Sequence, residues 1–149
     1  IHSPFDHVGS YLRPQALKEA REAFAQGKIS QEELLDIQDR LVKELVHHQV
    51  ENGLEVISDG EFGRSWWHLD FLWELTGVEA YQQEASYKFH GAKTRTTNVR
   101  LNGQVAENPN HPFYRDFEYL LSITPAGVTP KVTIPSPSLV IQRDHCSGL

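Results

Sequence analysis

Methionine is absent from this chain, and cysteine occurs once, at Cys146. A single cysteine excludes an internal disulfide framework and suits a reducing compartment, so the expected location is cytoplasmic. No apolar run approaches the roughly 20 residues a membrane span needs. The opening Ile1-His2-Ser3-Pro4-Phe5 has neither the basic head nor the apolar core of a signal peptide. Positive charge is scarce too: 14 Lys and Arg against 20 Asp and Glu give a net charge of −6. The basic residues are scattered, which argues against a nucleic-acid partner or an anionic membrane surface. There is no Walker loop, no Rossmann glycine fingerprint and no nucleophile elbow. What is left is a globular chain of 149 residues, 39% hydrophobic and 23% charged, long enough to bury a core. The missing methionine and the patternless tail from Arg143 to Leu149 lead us to expect an incomplete single domain, 1–149, from a longer protein.

What is present alternates between strand and helix. Phe5 to Gly9 reads as a first strand, and Arg13-Pro14 opens a helix over about 14–26 that Gly27 closes. Ser30 and Glu33 form a capping box, followed by Leu34, Ile37, Leu41, Leu45 and His48 at helical spacing, flanked by Leu35, Val42, Val46 and Val50. Asn52-Gly53 stops that helix, and Leu54 to Ser58 is a second strand. The aromatic run Trp66 to Leu75 suggests a short helix ended by Gly77. Tyr87 to Val105 alternates as strands do, with Asn102-Gly103 as a hairpin turn, so 80–110 is read as a β-hairpin excursion. A helix over 112–121 and a third strand over 128–134 complete the pattern. The expected fold class is α/β with parallel strands and helical crossovers, either a small open sheet or part of a barrel.

The sharpest chemical feature is Asp59-Gly60-Glu61, two carboxylates across one glycine where the second strand ends. Strand ends are where α/β folds place ligand groups, and paired carboxylates can seat an ammonium or share a proton. Arg64 follows closely enough to neutralise one carboxylate or hold an anion. The blander alternative is a turn in which Asp59 caps the next helix and Glu61 is solvated. At the end of the first strand, His7-Val8-Gly9-Ser10 offers close backbone approach at Gly9 and an amide and hydroxyl at Ser10 for a carboxylate, with Arg13 adding charge nearby. A simple Ser10 helix cap explains that segment equally well. His47-His48 point about 100° apart on a helix and do not form a metal pair, and adjacent His145-Cys146 lack matching ligands. Trp66, Trp67 and Trp73 suit a core or an interface, with a ligand-facing wall as the alternative.

Taken together, three segments resemble the cobalamin-independent methionine synthase family, most nearly its short single-barrel bacterial relatives. They are His7-Val8-Gly9-Ser10-Tyr11-Leu12-Arg13-Pro14, the run from Val50 to Glu61, and Pro130-Lys131-Val132-Thr133-Ile134-Pro135-Ser136-Pro137-Ser138. The resemblance implies a partial TIM (β/α)8 barrel, about its first three strands with the hairpin excursion. It implies a zinc-dependent methyltransferase moving a methyl group from a methylated folate or similar donor to homocysteine. By position, Glu61 matches the acid that holds the homocysteine ammonium and Gly9-Ser10 the turn that holds its carboxylate. Asp59 and Arg64 fit the same pocket, and His7 and Arg13 are counted with them as substrate-binding candidates. No residue here is assigned as catalytic or as a zinc ligand, because the family's His-x-Cys pair belongs to later strands.

Two other readings stand beside it: a non-catalytic small-molecule binding or assembly module, and a lyase on a related barrel with Asp59 and Glu61 as acid and base. Three strands leave an exposed sheet edge and an unfilled core. The 149 residues alone are therefore expected to aggregate or to associate into a homo-oligomer. A monomeric light-scattering mass with a cooperative melt would contradict this.

Overall fold

The computed structural model describes residues 6–65, 69–82 and 97–136. They form a mixed α/β arrangement in two units, one built from 1–65 with 113–133 and the other from 66–112 with 134–149.

In the first unit, α1 covers Gln15–Ala25 and is preceded by Pro14, whose fixed φ suits the entry to a helix. Gly27, at φ +71, follows its end. Helix α2, Gln31–Glu51, begins with the expected capping box. The Glu33 amide donates to Ser30 Oγ at 3.1 Å, and the Ser30 amide donates to Glu33 Oε2 at 2.7 Å. Its buried face lies along the expected stripe but takes in two glutamines and leaves out His48. Leu41, Val42 and Val46 are buried, but so are Gln38 and Gln49, while His48 is exposed. Two polar residues about three turns apart thus occupy core positions, and both find partners.

Strand β1 is short, Val56–Ile57. After the second unit's residues, α4 (Pro112–Ile123) and β4 (Thr129–Pro130) return to it, and β4 pairs with β1 in parallel. The Thr129 amide donates to the Glu55 carbonyl and the Lys131 amide to the Ile57 carbonyl, both at 2.8 Å. Leu17, Leu41, Val42, Val46, Ile57, Phe62 and Leu120 form the core that holds α1, α2 and α4 on this strand pair. Removing such side chains from water is the main favourable term, about 1.5–3 kcal/mol for each fully buried large apolar residue. Arg115 bridges α4 to Asp39 of α2, and the Tyr119 hydroxyl donates to the Asp39 carbonyl at 2.9 Å.

The expected first strand is corrected. Phe5 lies outside the described residues, and Asp6 to Gly9 carry no strand pairing. The segment is held by side chains instead: Lys131 Nζ donates to Asp6 and to the His7 carbonyl, and the His7 ring stacks on Tyr11 with centroids 3.9 Å apart. Gly9 at φ +96 breaks the extended backbone a ladder requires. Two parallel strands are present among the described residues, not three.

In the second unit, α3 (Leu69–Leu72) is a single turn, and β2 (Thr76–Gln82) pairs antiparallel with β3 (Thr97–Ala106). Leu72, Val78 and Val99 form its core, with Phe71, Trp73, Leu75 and Leu101 packed around them. β2 and β3 pair antiparallel in this region, but as 76–82 with 97–106 and not as two arms around an Asn102-Gly103 turn. Those residues sit within β3, opposite Gly77, where the register shifts between Thr76 and Val78. The connection between the strands falls within 83–96, and Trp66 and Trp67 likewise lie outside the described residues. No helix among the described residues is long and apolar enough to cross a membrane.

Gly77 explains the register shift. At φ +78 it approaches β3 so closely that a β-carbon would lie 2.2 Å from the Gln104 carbonyl oxygen. Backbone cannot yield as a side chain does. Gly77→Ala should therefore destabilise the hairpin by more than the roughly 1 kcal/mol typical of a lost glycine advantage. Proteolysis within 76–106 should accelerate in the variant, and unchanged protection would refute the close-approach argument.

Candidate functional site

Past Ile57 the chain turns inside packed surroundings, so the backbone groups from Ser58 to Arg64 need partners. Gln49, 3% exposed, supplies two of them from the last turn of α2. Its Nε2 donates to the Ser58 carbonyl at 2.8 Å, and its Oε1 accepts the Ser58 amide at 3.0 Å. Ser58 Oγ accepts the Gly60 amide at 3.2 Å, and Asp59 Oδ1 accepts the Glu61 amide at 3.0 Å. Asp59 is thus first of all a turn-forming side chain. Gly60 and Glu61 follow in succession at φ +68 and φ 60. For glutamate that conformation costs of order 1–3 kcal/mol and persists only where its surroundings over-determine it.

The far side of the turn is clamped by α1 and the segment before it. Arg13 donates from Nη2 to the Arg64 carbonyl at 2.5 Å and to the Glu61 carbonyl at 3.3 Å. Arg21 donates to the Arg64 carbonyl at 3.0 Å and also to the Phe62 carbonyl. The Tyr11 amide reaches the Gly60 carbonyl at 3.2 Å. This brings Ser10 against Glu61 although the two are 51 residues apart: Ser10 Oγ donates to Glu61 Oε2 at 2.5 Å.

Glu61 is 5% exposed, and Arg64 Nη1 lies 3.6 Å from its Oε1. The Arg64 guanidinium, itself buried, lies over the Phe113 ring at 4.4 Å from the centroid. A buried carboxylate is tolerated only when opposite charge and hydrogen bonds compensate its lost hydration, and here Arg64 and Ser10 provide both. Burial pushes the Asp59 carboxyl above its ordinary range, against the Glu61 amide bond and the Arg64 charge, with Asp116 and Glu61 adding to the rise. Burial likewise raises Asp116, opposed by Arg115 and by its bond from Gln38.

Of the residues singled out in the sequence, Ser10, Asp59, Glu61 and Arg64 converge. Gly9 is exposed, with open space around its Cα. His7 Nε2 lies 3.0 Å from the Gly9 carbonyl oxygen and its ring stacks on Tyr11, while two of Arg13's hydrogen bonds go to backbone carbonyls. Sequence reasoning missed Gln49, Arg21 and Phe113. Arg21 lies on α1 and Arg13 just before it, and no local spacing signalled that both would reach the same turn. Among the described residues no three His, Cys, Asp or Glu side chains are grouped to hold a metal ion. His145 and Cys146 lie outside the described residues.

The turn at the end of this parallel strand gathers a buried carboxylate, a hydroxyl and a guanidinium, groups whose chemistry suits a polar ligand. Residues 4–140 match the family described as cobalamin-independent synthase, catalytic domain, and the chain belongs to that family. It is 42% identical over 140 residues to the uncharacterized protein YxjH of Bacillus subtilis, covering 93% of this chain and 37% of the relative. A methionine synthase of Sulfurisphaera tokodaii is 36% identical over 78 residues, 52% of this chain and 23% of that protein. A solved Listeria monocytogenes structure, provisionally named a vitamin-B12 independent methionine synthase, matches with a TM-score of 0.77 and 39% identity. That match covers 95% of this chain and 39% of that one. The chain therefore spans well under half the length of the relatives it matches.

Asp59 yields a test of the turn's electrostatics. Because its folded pKa is raised, folding favours the neutral acid. Stability is greatest below the unfolded value of 3.8 and declines as pH rises through the folded value. Asparagine keeps the acceptor for the Glu61 amide without the buried charge. In thermal melts, Asp59→Asn should match or exceed the wild type at pH about 7 and lose that advantage near pH about 4. A variant less stable at neutral pH would show that the charge itself holds the turn.

Proposed function

We propose that this chain carries one end of the amino-acid site of a methyltransferase that converts homocysteine to methionine, on a (β/α)8 barrel whose early strands it contributes. The observation that carries the reading is the meeting of Ser10 and Glu61 at a strand tip, a hydroxyl and a buried carboxylate supplied by separate segments. In this reading Glu61 accepts the substrate ammonium, and the Ser10 hydroxyl and amide hold its carboxylate. Arg64 balances the buried charge while the site is empty. Asp59 forms the turn, Arg13 ties the two segments together, and His7 braces its own segment against Tyr11.

Anchoring both ends of the amino-acid head leaves the side-chain sulfur free to point away. The sulfur attacks the methyl carbon of a methylated folate or similar donor. A carbon–sulfur bond forms as the bond to the donor atom breaks, and the donor keeps the electron pair and gains a proton. Holding the reactants in this geometry is the binding site's contribution. Zinc, which the family resemblance implies for thiol activation, finds no fitting set of ligands among the described residues, so no step here runs through it.

Calorimetric titration of the full-length gene product with homocysteine tests the assignment. A buried hydrogen bond to a charged group is worth roughly 1.5–3 kcal/mol, so Glu61→Gln should weaken binding by about tenfold or more. Unchanged affinity would remove Glu61 from the site.

A further inference from the structure

Gln49 holds no place in the reading above, yet both ends of its carboxamide are engaged with the ligand turn. Where β1 ends, Ser58 loses the neighbouring-strand partners that a ladder would give its amide and carbonyl. The Gln49 carboxamide restores both, one donor and one acceptor, with its Nε2 also 3.4 Å from the Leu45 carbonyl. It works from a firm base. The helix end beneath it is closed by Asn52 and Gly53, and the Leu54 amide returns to the Gln49 carbonyl at 3.1 Å.

We infer that Gln49 is a positioning residue for the amino-acid site: by gripping both backbone groups of Ser58 it sets the left-handed turn that aims Glu61 at Ser10. This rests on the reading of Glu61 as the ammonium acceptor. The physical link is short. Ser58 is held at both backbone groups by Gln49, its Oγ receives the Gly60 amide, and Glu61 follows in a conformation that its own backbone disfavours. Freed from Gln49, that residue relaxes toward ordinary φ values and its carboxylate swings off the Ser10 hydroxyl. Sequence reading passed over this residue because glutamine on a helix is normally a solvated side chain.

Glutamate at this position makes the role measurable. As a carboxylate it still accepts the Ser58 amide but faces the Ser58 carbonyl with no proton to donate. As a neutral acid it supplies donor and acceptor once more. The ionisable groups on the surrounding elements are Asp59 and Glu61 in the turn, Lys131 after β4, and exposed His48 and Glu51 on α2 itself. All are shared with the wild type, so the variant-to-wild-type ratio of affinities cancels their titration.

The test is calorimetry of the full-length gene product, wild type and Gln49→Glu, with homocysteine and with 4-mercaptobutanoate, which lacks the ammonium. The variant should bind homocysteine at least about tenfold more weakly than wild type at alkaline pH, the cost of one buried unpaired carbonyl. The ratio should approach one as the pH falls and residue 49 takes up its proton. For 4-mercaptobutanoate it should stay near one throughout, which a general loss of structure would not produce. A homocysteine ratio that is near one and independent of pH overturns the inference. Should Gln49→Glu fail to fold, Gln49→Met removes both bonds without adding charge and should lose about tenfold at every pH; wild-type affinity in that variant overturns the inference equally. Failure of the underlying reading looks different: the wild type then gives no heat with homocysteine, and the inference falls with it.

Discussion

The first unit is organised by one constraint, that the buried backbone of residues 58–64 must have its hydrogen bonds satisfied by something other than a sheet. β1 is too short to carry its ladder past Ile57, so the next carbonyls and amides are claimed by side chains. Gln49 takes both groups of Ser58, Asp59 takes the Glu61 amide, and Arg13 and Arg21 take carbonyls at Glu61, Phe62 and Arg64. Each of these bonds contributes only about 1 kcal/mol net. Leaving the same groups unpaired would cost more, which is why α1 and α2 both converge on this turn.

That arrangement produces the electrostatics of the site. With the backbone pinned, Glu61 is held at a left-handed φ and its carboxylate is directed inward beside Arg64 and Ser10. A buried ion pair is weak evidence for stability, because desolvation offsets most of its attraction. In the proposed reading its value is chemical: a carboxylate kept partly dry and already partnered by a cation is suited to exchange that partner for an ammonium. Asp59 is close in sequence but serves the opposite purpose. Its side chain turns back onto the loop, and burial favours its neutral form. The two carboxylates are therefore not equivalent, which weakens the reading of them as a matched acid and base.

Much of this architecture was legible from local pattern. The capping box at Ser30 and Glu33, the glycines after α1 and α2 and the helix from Pro112 appear where spacing put them, and the strand expected over 54–58 appears shortened to Val56–Ile57. Each is encoded within a few residues of itself. The failures share a cause as well. Asn102-Gly103 has the composition of a hairpin turn, but the close approach of Gly77 absorbs it into an irregular stretch of β3. Phe5 to Gly9 reads as a strand in the sequence, yet Gly9 turns the chain, and the Lys131 side chain from after β4 ties down Asp6 and His7.

By itself the sequence determined where the helices begin and end, that two carboxylates stand at a strand tip, and that their motif belongs with the cobalamin-independent synthases. Those properties follow from periodicity, capping chemistry and residue order, all of which act over a turn or two of chain. Only the tertiary structure decided which polar side chains face inward. Gln38 and Gln49 replace the expected His48 on the buried face of α2, Arg13 and Arg21 grip backbone, and Ser10 meets Glu61 from 51 residues away. The reason is that a buried polar group takes whatever partner the packed elements bring within about 3 Å, and that proximity is set by how helices and strands dock.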